Sequence, residues 1–404
     1  MKKQKDLDKY LSFQRKKYYF KSFFRKAKRL IVDFIPLQQI DTGYCSERHT
    51  LRAQEASSVF CPKDFKSDIV EKPVSLLPVE AFSLRDVYFS LDSNTFLTKN
   101  LKTAFYEEVE KFSTEYTLMY HSKNLLFHSE KLAKLNNLPK IDLGRGVLFL
   151  SGNFCFNYFH FLIEILSKVE FLKKIPHHEQ LLVVTHQKVE EIENMKVLLS
   201  FFINENEIRF LSEDHYYTAP KVWHISYPNV AVPNIGEGEE YKAEFAKFSP
   251  HSIDYLRTVC LSNLDMNAVR IDPISKVFLA RKSQFRKYNE DELLQVAEKY
   301  GFQAVYLEDL NIHEQMYLMQ NADCIIGPSG AAWTNVLFAQ PGKTKGLLWL
   351  ANVWKEFSIF STLAEFSGFD LYHWRFGDES LGFHEDYVLD TNEFELQLNR
   401  LLAL

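Results

Sequence analysis

The stretch ADCIIGPSGAAWTNVLFAQPG, residues 322–342, decides the fold. Residues 324–326 read as a short buried strand. It hands over to small residues at Gly327, Pro328, Ser329, Gly330, Ala331 and Ala332, and then to a helix-like segment. A strand passing at once into a helix is the repeating step of a parallel α/β sheet, whose ligands sit at the carboxyl ends of strands. The backbone N–H groups of residues 329–332 would point out of the helix start, where phosphate is favoured. Ser329 adds a hydroxyl, and Thr334 and Asn335 lie one turn further in. The same small residues would equally permit tight strand–helix packing, and spacing leaves the two readings level.

Working outward, the alternation continues. KVFLARK (276–282), AVYLED (304–309) and GLLWL (346–350) are strand candidates separated by the helix candidates NEDELLQVAEKYG (289–301) and NIHEQMYLMQNA (311–322). Asn289 with Glu292 and Asn311 with Glu314 fit a cap residue answered by Glu three positions later, and Gly301 closes the first helix. An earlier block repeats the pattern. GVLFLSG (146–152), QLLVVTH (180–186), EIRFLSE (207–213) and KVWHISYP (221–228) alternate with helix-like stretches at 156–175 and 188–202. Residues 228–240 read as a loop, and residues 37–80, broken by Pro62, Pro73 and Pro78, as an irregular lead-in. The pattern predicts two α/β domains facing each other, 37–250 and 251–404, behind a basic helical arm at 1–36.

Composition suits a globular chain: of 404 residues, 46% are apolar and 25% charged, with 35 Phe and 20 Tyr to fill large cores. Five scattered cysteines without CxxC spacing argue against a disulfide framework and predict a reducing compartment. No apolar run is long enough to span a bilayer, and no signal peptide is expected. Residues 1–29 carry twelve Lys and Arg against two Asp, whereas the rest of the chain is acidic. Basic residues interleaved with Phe and Tyr suit an anionic membrane surface; a solvated basic arm fits the same composition. The acidic body disfavours nucleic acid as a partner.

Two clusters carry chemistry. Arg281 and Lys282 stand at a strand end and Arg286 in the loop beyond it; paired Arg can hold a diphosphate bidentately, and a solvated basic loop is the alternative. In the apolar helix candidate at 152–172, Asn157, His160, Glu164 and Lys168 fall at spacings of three, four and four, one stripe on one face. The stripe could face a cleft or water. His160 is its only group able to exchange a proton near neutral pH, with Glu164 one turn on to orient it. The only Asp-x-Asp is Asp6 with Asp8, inside the basic arm, so no metal–diphosphate site is expected.

Taken together, NYFHFLIE (157–164), LARKSQFRKYNEDEL (279–293) and LEDLNIHEQMYLMQNADCIIGPSGAAWTNVLFAQPG (307–342), with a weaker echo in FSTLAEFSGFDLYHW (360–374), resemble glycosyltransferase family 61, which includes capsular polysaccharide enzymes. The resemblance implies a GT-B fold, two Rossmann-like domains facing across a cleft. The N-terminal domain would serve the acceptor and the C-terminal one the nucleotide sugar. It implies inverting transfer from a nucleotide sugar, usually without metal or other cofactor; the basic arm would hold such an enzyme at the inner face of the membrane, near a glycan or lipid-linked acceptor. By position, Arg281 and Arg286 match the family's basic pair, Glu314 its Glu-Gln pair, residues 327–335 its donor loop and His160 its helix histidine. His160 and Glu164 are thus the expected catalytic residues. Arg281, Lys282, Arg286, Glu314, Ser329, Gly330, Ala331, Thr334 and Asn335 are expected to bind the donor. Relatives usually read Gly-Pro-His-Gly-Ala-Gly in this loop; here Ser329 replaces the His and Ala332 the last Gly. That departure supports the alternative of a non-catalytic nucleotide-sugar or glycan binder in a membrane assembly.

Overall fold

The opening stretch folds as the central strand of a five-stranded parallel sheet. The strand order is Gln303–Val305, Lys276–Leu279, Cys324–Pro328, Lys345–Ala351, Asp370–Phe376. The computed structural model describes residues 2–22, 28–112, 118, 120, 122–204, 206–232, 241–282, 286–377 and 385–404, with backbone alone for 2–5 and 17–22. It divides into two units, Met1–Glu55 with Leu77–Glu239, and Ala56–Leu76 with Glu240–Leu404. Most of the loop expected at 228–240 lies outside the described residues.

The five-stranded sheet belongs to the second unit. Cys324–Pro328 is buried at every position because helices cover both faces of such a sheet, which demands a continuous apolar strand. Phe278, Trp349, Trp374 and Phe394 fill its core. In chain order the strands run 2-1-3-4-5, so the path reverses between Lys276–Leu279 and Cys324–Pro328. Helix Ile312–Asn321 begins at the expected capping box, with Asn311 and Glu314 bonding each other's backbone. Helix Ile359–Ser367 stops at Gly368, whose φ of 68° is the left-handed closing residue. Asn289 behaves otherwise than expected: its amide binds the Glu292 carboxylate at 2.7 Å and the Leu389 backbone, tying down the approach to helix Thr391–Leu402.

The first unit holds two sheets. In one, Ile208–Leu211, Leu182–His186, Val147–Phe149 and Val222–Ile225 lie parallel in that order, and Val79–Leu84 and Cys45–Arg52 extend it antiparallel. The parallel part runs 3-2-1-4 in chain order, reversing between Val147–Phe149 and Val222–Ile225. An eight-stranded mixed sheet lies in the same unit and includes Thr95–Thr98, Thr103–Tyr106 and Leu132–Asn136. It is built largely from residues 87–136, a region expected to alternate with helices.

Two expectations for the N-terminal third need correction. The helical arm ends early: helix Lys2–Ser22 is followed by strand Arg29–Pro36, which pairs with Thr103–Tyr106 and Leu132–Asn136. The β-branched and aromatic run RLIVDFIP favours a strand, and packing of Ile31, Val32 and Phe34 keeps it there. The helix is docked, with Leu11 buried against Ile31 and Leu132, and Arg15 on Asp33 at 2.6 Å. Half of residues 37–80 is strand, where an irregular lead-in was expected. Their prolines mislead because Pro73 sits in a two-stranded ribbon, Glu55–Phe60 with Glu71–Leu76, where a missing N–H costs little. Ala56–Leu76 belongs to the C-terminal unit. Among the described residues no helix is long and apolar enough to cross a membrane.

Candidate active site

Open α/β sheets hold ligands at the carboxyl ends of strands where the strand order reverses. Each unit has such a point, and each point carries a pocket.

In the first unit the chain leaves Val147–Phe149 through Gly152, Asn153 and Phe154, and leaves Val222–Ile225 through Tyr227. These turns border a pocket of about 410 Å³, walled also by Asn94, Glu107, His160 and Glu164. Gly152, at φ 158°, is required there: a Cβ would collide with Asn94 and Tyr227. The segment behind the pocket opens as a wide π-helical turn, His160–Ile165, and tightens into a 3-10 helix, Leu166–Lys174. Widened turns of this kind recur at functional sites. His160 Nδ1 lies 2.8 Å from Glu164 Oε2, and Glu164 Oε1 accepts the Ala231 N–H at 2.7 Å. A carboxylate against Nδ1 fixes the proton on that nitrogen and leaves Nε2 as the basic atom. The side chain of His160 is 23% exposed and that of Glu164 4%, so the dyad opens to the pocket only at the imidazole.

The stripe does not face water. It descends from exposed Asn157, which accepts the Phe159 N–H, through His160 and Glu164 to Lys168, which is fully buried. Lys168 Nζ sits 4.0 Å over the Tyr227 ring and has no hydrogen-bond partner among the described residues. Burial pulls its pKa down to about 8, against the pull of Glu107 and Glu164. Glu107 is the hub beneath the pocket. Its Oε2 accepts from Asn94 Nδ2 at 2.7 Å and His224 Nε2 at 3.0 Å, and its Oε1 accepts the Tyr227 N–H at 2.6 Å. Burial raises the Glu107 pKa, but Lys168 and His224 outweigh it and hold the carboxyl below its ordinary value. Burial lowers the His224 pKa, keeping that ring neutral.

In the second unit the pocket, about 400 Å³, lies at the reversal between Lys276–Leu279 and Cys324–Pro328. Arg281, Arg286, Ser329 and Glu385 form its polar wall, and Trp349, Phe376 and Tyr387 part of its aromatic one. Arg281 Nη2 donates to Ser329 O at 2.6 Å. A Cβ on Gly330 would stand 2.8 Å from Arg281 Nη2 and 3.8 Å from Arg286 Nη2, so the missing side chain is the space the guanidinium groups occupy. Gly327 has the other role. Its absent Cβ would meet Leu279 Cβ at 2.7 Å, on the neighbouring strand. Tight packing therefore holds for Gly327, whereas Gly330 leaves room for two guanidinium groups. Arg286 has φ 55°, and burial, then Arg281, pull its pKa down to about 10. Two half-buried cations held together favour an anion between them. Tyr387 stacks on Tyr288 at 5.6 Å and 7°, and its hydroxyl accepts from Trp349 Nε1 at 3.2 Å.

Other expected donor residues lie elsewhere. Lys282 is exposed and paired with Asp309 at 2.5 Å. Both oxygens of Glu314 are spent on backbone, Oε2 on Asn311 N–H and Oε1 on Arg270 N–H, because its place three residues after Asn311 makes it a cap. Ala331 begins a 3-10 helix, Ala331–Phe338, and is not among the pocket's lining residues. Thr334 and Asn335 are buried within that helix's packing, Asn335 donating to Gln315 Oε1 at 3.0 Å. The Ser329 N–H, expected to be open to phosphate, is taken by Trp349 O at 2.9 Å. Sequence reasoning missed Glu107, His224, Tyr227 and the aromatic wall. Glu107 follows the apolar strand Thr103–Tyr106, and a carboxylate straight after a buried strand was the one available signal.

Residues 158–346 match the family model described as Glycosyltransferase 61, a stretch that includes His160, Glu164, Arg281, Arg286 and Ser329. No curated protein matches the chain. The match supports an enzyme of the glycosyltransferase class, and the family implies a nucleotide-sugar donor and a glycan acceptor.

Proposed function

We propose that this protein is an inverting, metal-independent glycosyltransferase of GT-B type, acting in bacterial surface polysaccharide synthesis. The observation that carries the reading is the His160–Glu164 pair, with Nδ1 engaged at 2.8 Å and the imidazole at the wall of a pocket. His160 Nε2 takes the proton of an acceptor hydroxyl, the oxygen attacks the anomeric carbon, and the bond from that carbon to the diphosphate oxygen breaks. A single displacement inverts the centre. Negative charge grows on the leaving diphosphate, which Arg281 and Arg286 stabilise in the role a divalent cation would otherwise take. The aromatic wall with Tyr387 offers a stacking face to the nucleotide base.

In this reading helix Lys2–Ser22 lies against anionic lipid at the cytoplasmic leaflet, near lipid-linked acceptors. Tyr10 and Phe13, 49% and 66% exposed, support it beside the basic residues. Sedimentation with anionic and neutral vesicles tests this: equal binding to both removes the electrostatic part.

A panel of nucleotide sugars, screened first by thermal shift and then for transfer to glycan acceptors, tests the enzyme reading. His160→Ala should lower turnover about a hundredfold or more while donor affinity persists. Turnover unchanged in that variant removes His160 as the base. Donor binding without transfer, across the panel, would favour a non-catalytic binder.

A further inference from the structure

Two ionisable groups besides His160, Glu107 and Glu164, are buried at the wall of the first unit's pocket, and a third, Lys168, is buried behind it, 4.0 Å over the ring of the pocket residue Tyr227. Lys168 follows Glu164 by four residues on the same helical segment, and Glu107 comes from the turn after strand Thr103–Tyr106. With His160 neutral, two carboxylates face one ammonium, and the cluster carries one net negative charge. When His160 accepts a proton the cluster becomes neutral. The cluster is thus built one positive charge short, and the reaction supplies that charge at the imidazole.

We propose that Lys168 is a positioning residue for the transfer: its buried ammonium keeps Glu107 and Glu164 ionised together, so that Glu164 holds His160 with Nδ1–H engaged and Nε2 free to act as base. The inference rests on the reading of His160 as the base. Two carboxylates sharing a buried site without a cation do not both stay ionised near neutral pH, and one takes up a proton. A protonated Glu164 is a poorer acceptor for the imidazole N–H. Glu107 needs its charge for a separate reason, since it fixes Asn94, His224 and the Tyr227 backbone around the pocket. The lysine has no hydrogen bond that would give it a role in folding geometry alone. The groups that face it are Glu107, Glu164, the Cys155 thiol, neutral His224 and the Tyr227 ring. Of these only the two carboxylates carry charge near neutral pH. Burial pushes the Cys155 thiol up to about 12, so it stays protonated.

The test is Lys168→Met in the full chain, read in two ways. Histidine-labelled protein is titrated by NMR, with the His160 signal assigned by its loss in His160→Gln. With the lysine gone and Glu164 protonated, His160 loses its ionised partner, and its midpoint should move downward. Where a donor is identified, the acid limb of the pH–rate profile should move the same way, with kcat down tenfold or more and donor KM unchanged. Glu107→Gln combined with Lys168→Met deletes the pair without changing net charge, and should return the midpoint towards wild type. If Lys168→Met alone does not fold, the double variant is compared with Glu107→Gln, in which the cation remains, and its midpoint should lie higher. A midpoint that stays put or rises in Lys168→Met overturns the proposal, because both carboxylates then remain ionised without the lysine; so does an unmoved midpoint in the comparison with Glu107→Gln. Wild-type turnover in His160→Gln instead overturns the base reading and leaves the NMR result to stand as electrostatics.

Discussion

Gly330→Ala separates the ligand role of the donor loop from its packing role. The Gly330 backbone is extended, with φ 172°, so alanine is tolerated there without strain. Its Cβ would stand 2.8 Å from Arg281 Nη2, the end of a flexible side chain, and the guanidinium must swing away from Ser329 O. The fold loses one charge-assisted hydrogen bond of about 1.5–3 kcal/mol and regains about 0.4–1 kcal/mol from a stiffer unfolded chain, so stability should fall by about 0.5–2.5 kcal/mol. A diphosphate loses a contact of about 1.5–3 kcal/mol, which lowers affinity about tenfold to a hundredfold. In Gly327→Ala the new methyl would lie 2.7 Å from Leu279 Cβ and 3.2 Å from Leu279 O, on a strand that cannot yield. Overpacking of this kind costs about 1–3 kcal/mol. Calorimetric titration with nucleoside diphosphates and thermal unfolding of both variants give the comparison. Both variants should melt lower than wild type, but Gly330→Ala should bind diphosphate weakly and Gly327→Ala should keep its affinity. A Gly330→Ala protein that binds diphosphate as tightly as wild type refutes the assignment of the pocket to phosphate.

Two further predictions follow from side chains away from the pockets. Glu314→Gln should lower stability by about 1 kcal/mol through the weakened capping box, and should leave diphosphate affinity as it is; a selective loss of affinity would restore Glu314 to the donor site. Burial holds the His373 pKa down to about 3. Between its unfolded value near 6.5 and that pKa, the unfolded chain binds a proton the native one does not, so stability falls as pH falls through this window. At pH 5 the loss is about 2 kcal/mol, and His373→Gln should lose less of its melting temperature between pH 7.5 and 5 than wild type does. Equal acid sensitivity in the two proteins would show that other groups dominate.

The sequence by itself determined eight of the nine parallel strands described in the two sheets that bear the pockets, and with them the α/β class. Each is a short apolar run beside a helix pattern, and such periodicity is written in adjacent residues. It also determined the His160–Glu164 pair, because residues one turn apart on a helical segment meet whatever surrounds them. Arg281 and Ser329 were legible for a similar reason: each stands just past a strand end, where α/β sheets hold ligands. Tertiary structure decided the rest. Glu314 and Asn335 look like ligands of the donor loop in sequence, but partners at Arg270 and Gln315 consume their polar atoms. The strand at Arg29–Pro36 follows a helical arm and exists only because Thr103–Tyr106 and Leu132–Asn136 pair with it. Glu107 and Lys168 stand 61 positions apart, and neither residue's neighbours reveal that both are buried beside one pocket. Burial and charge pairing are set by what the chain brings back from a distance. Local patterning could place the His160–Glu164 pair, and only the folded chain could supply the buried charges behind it.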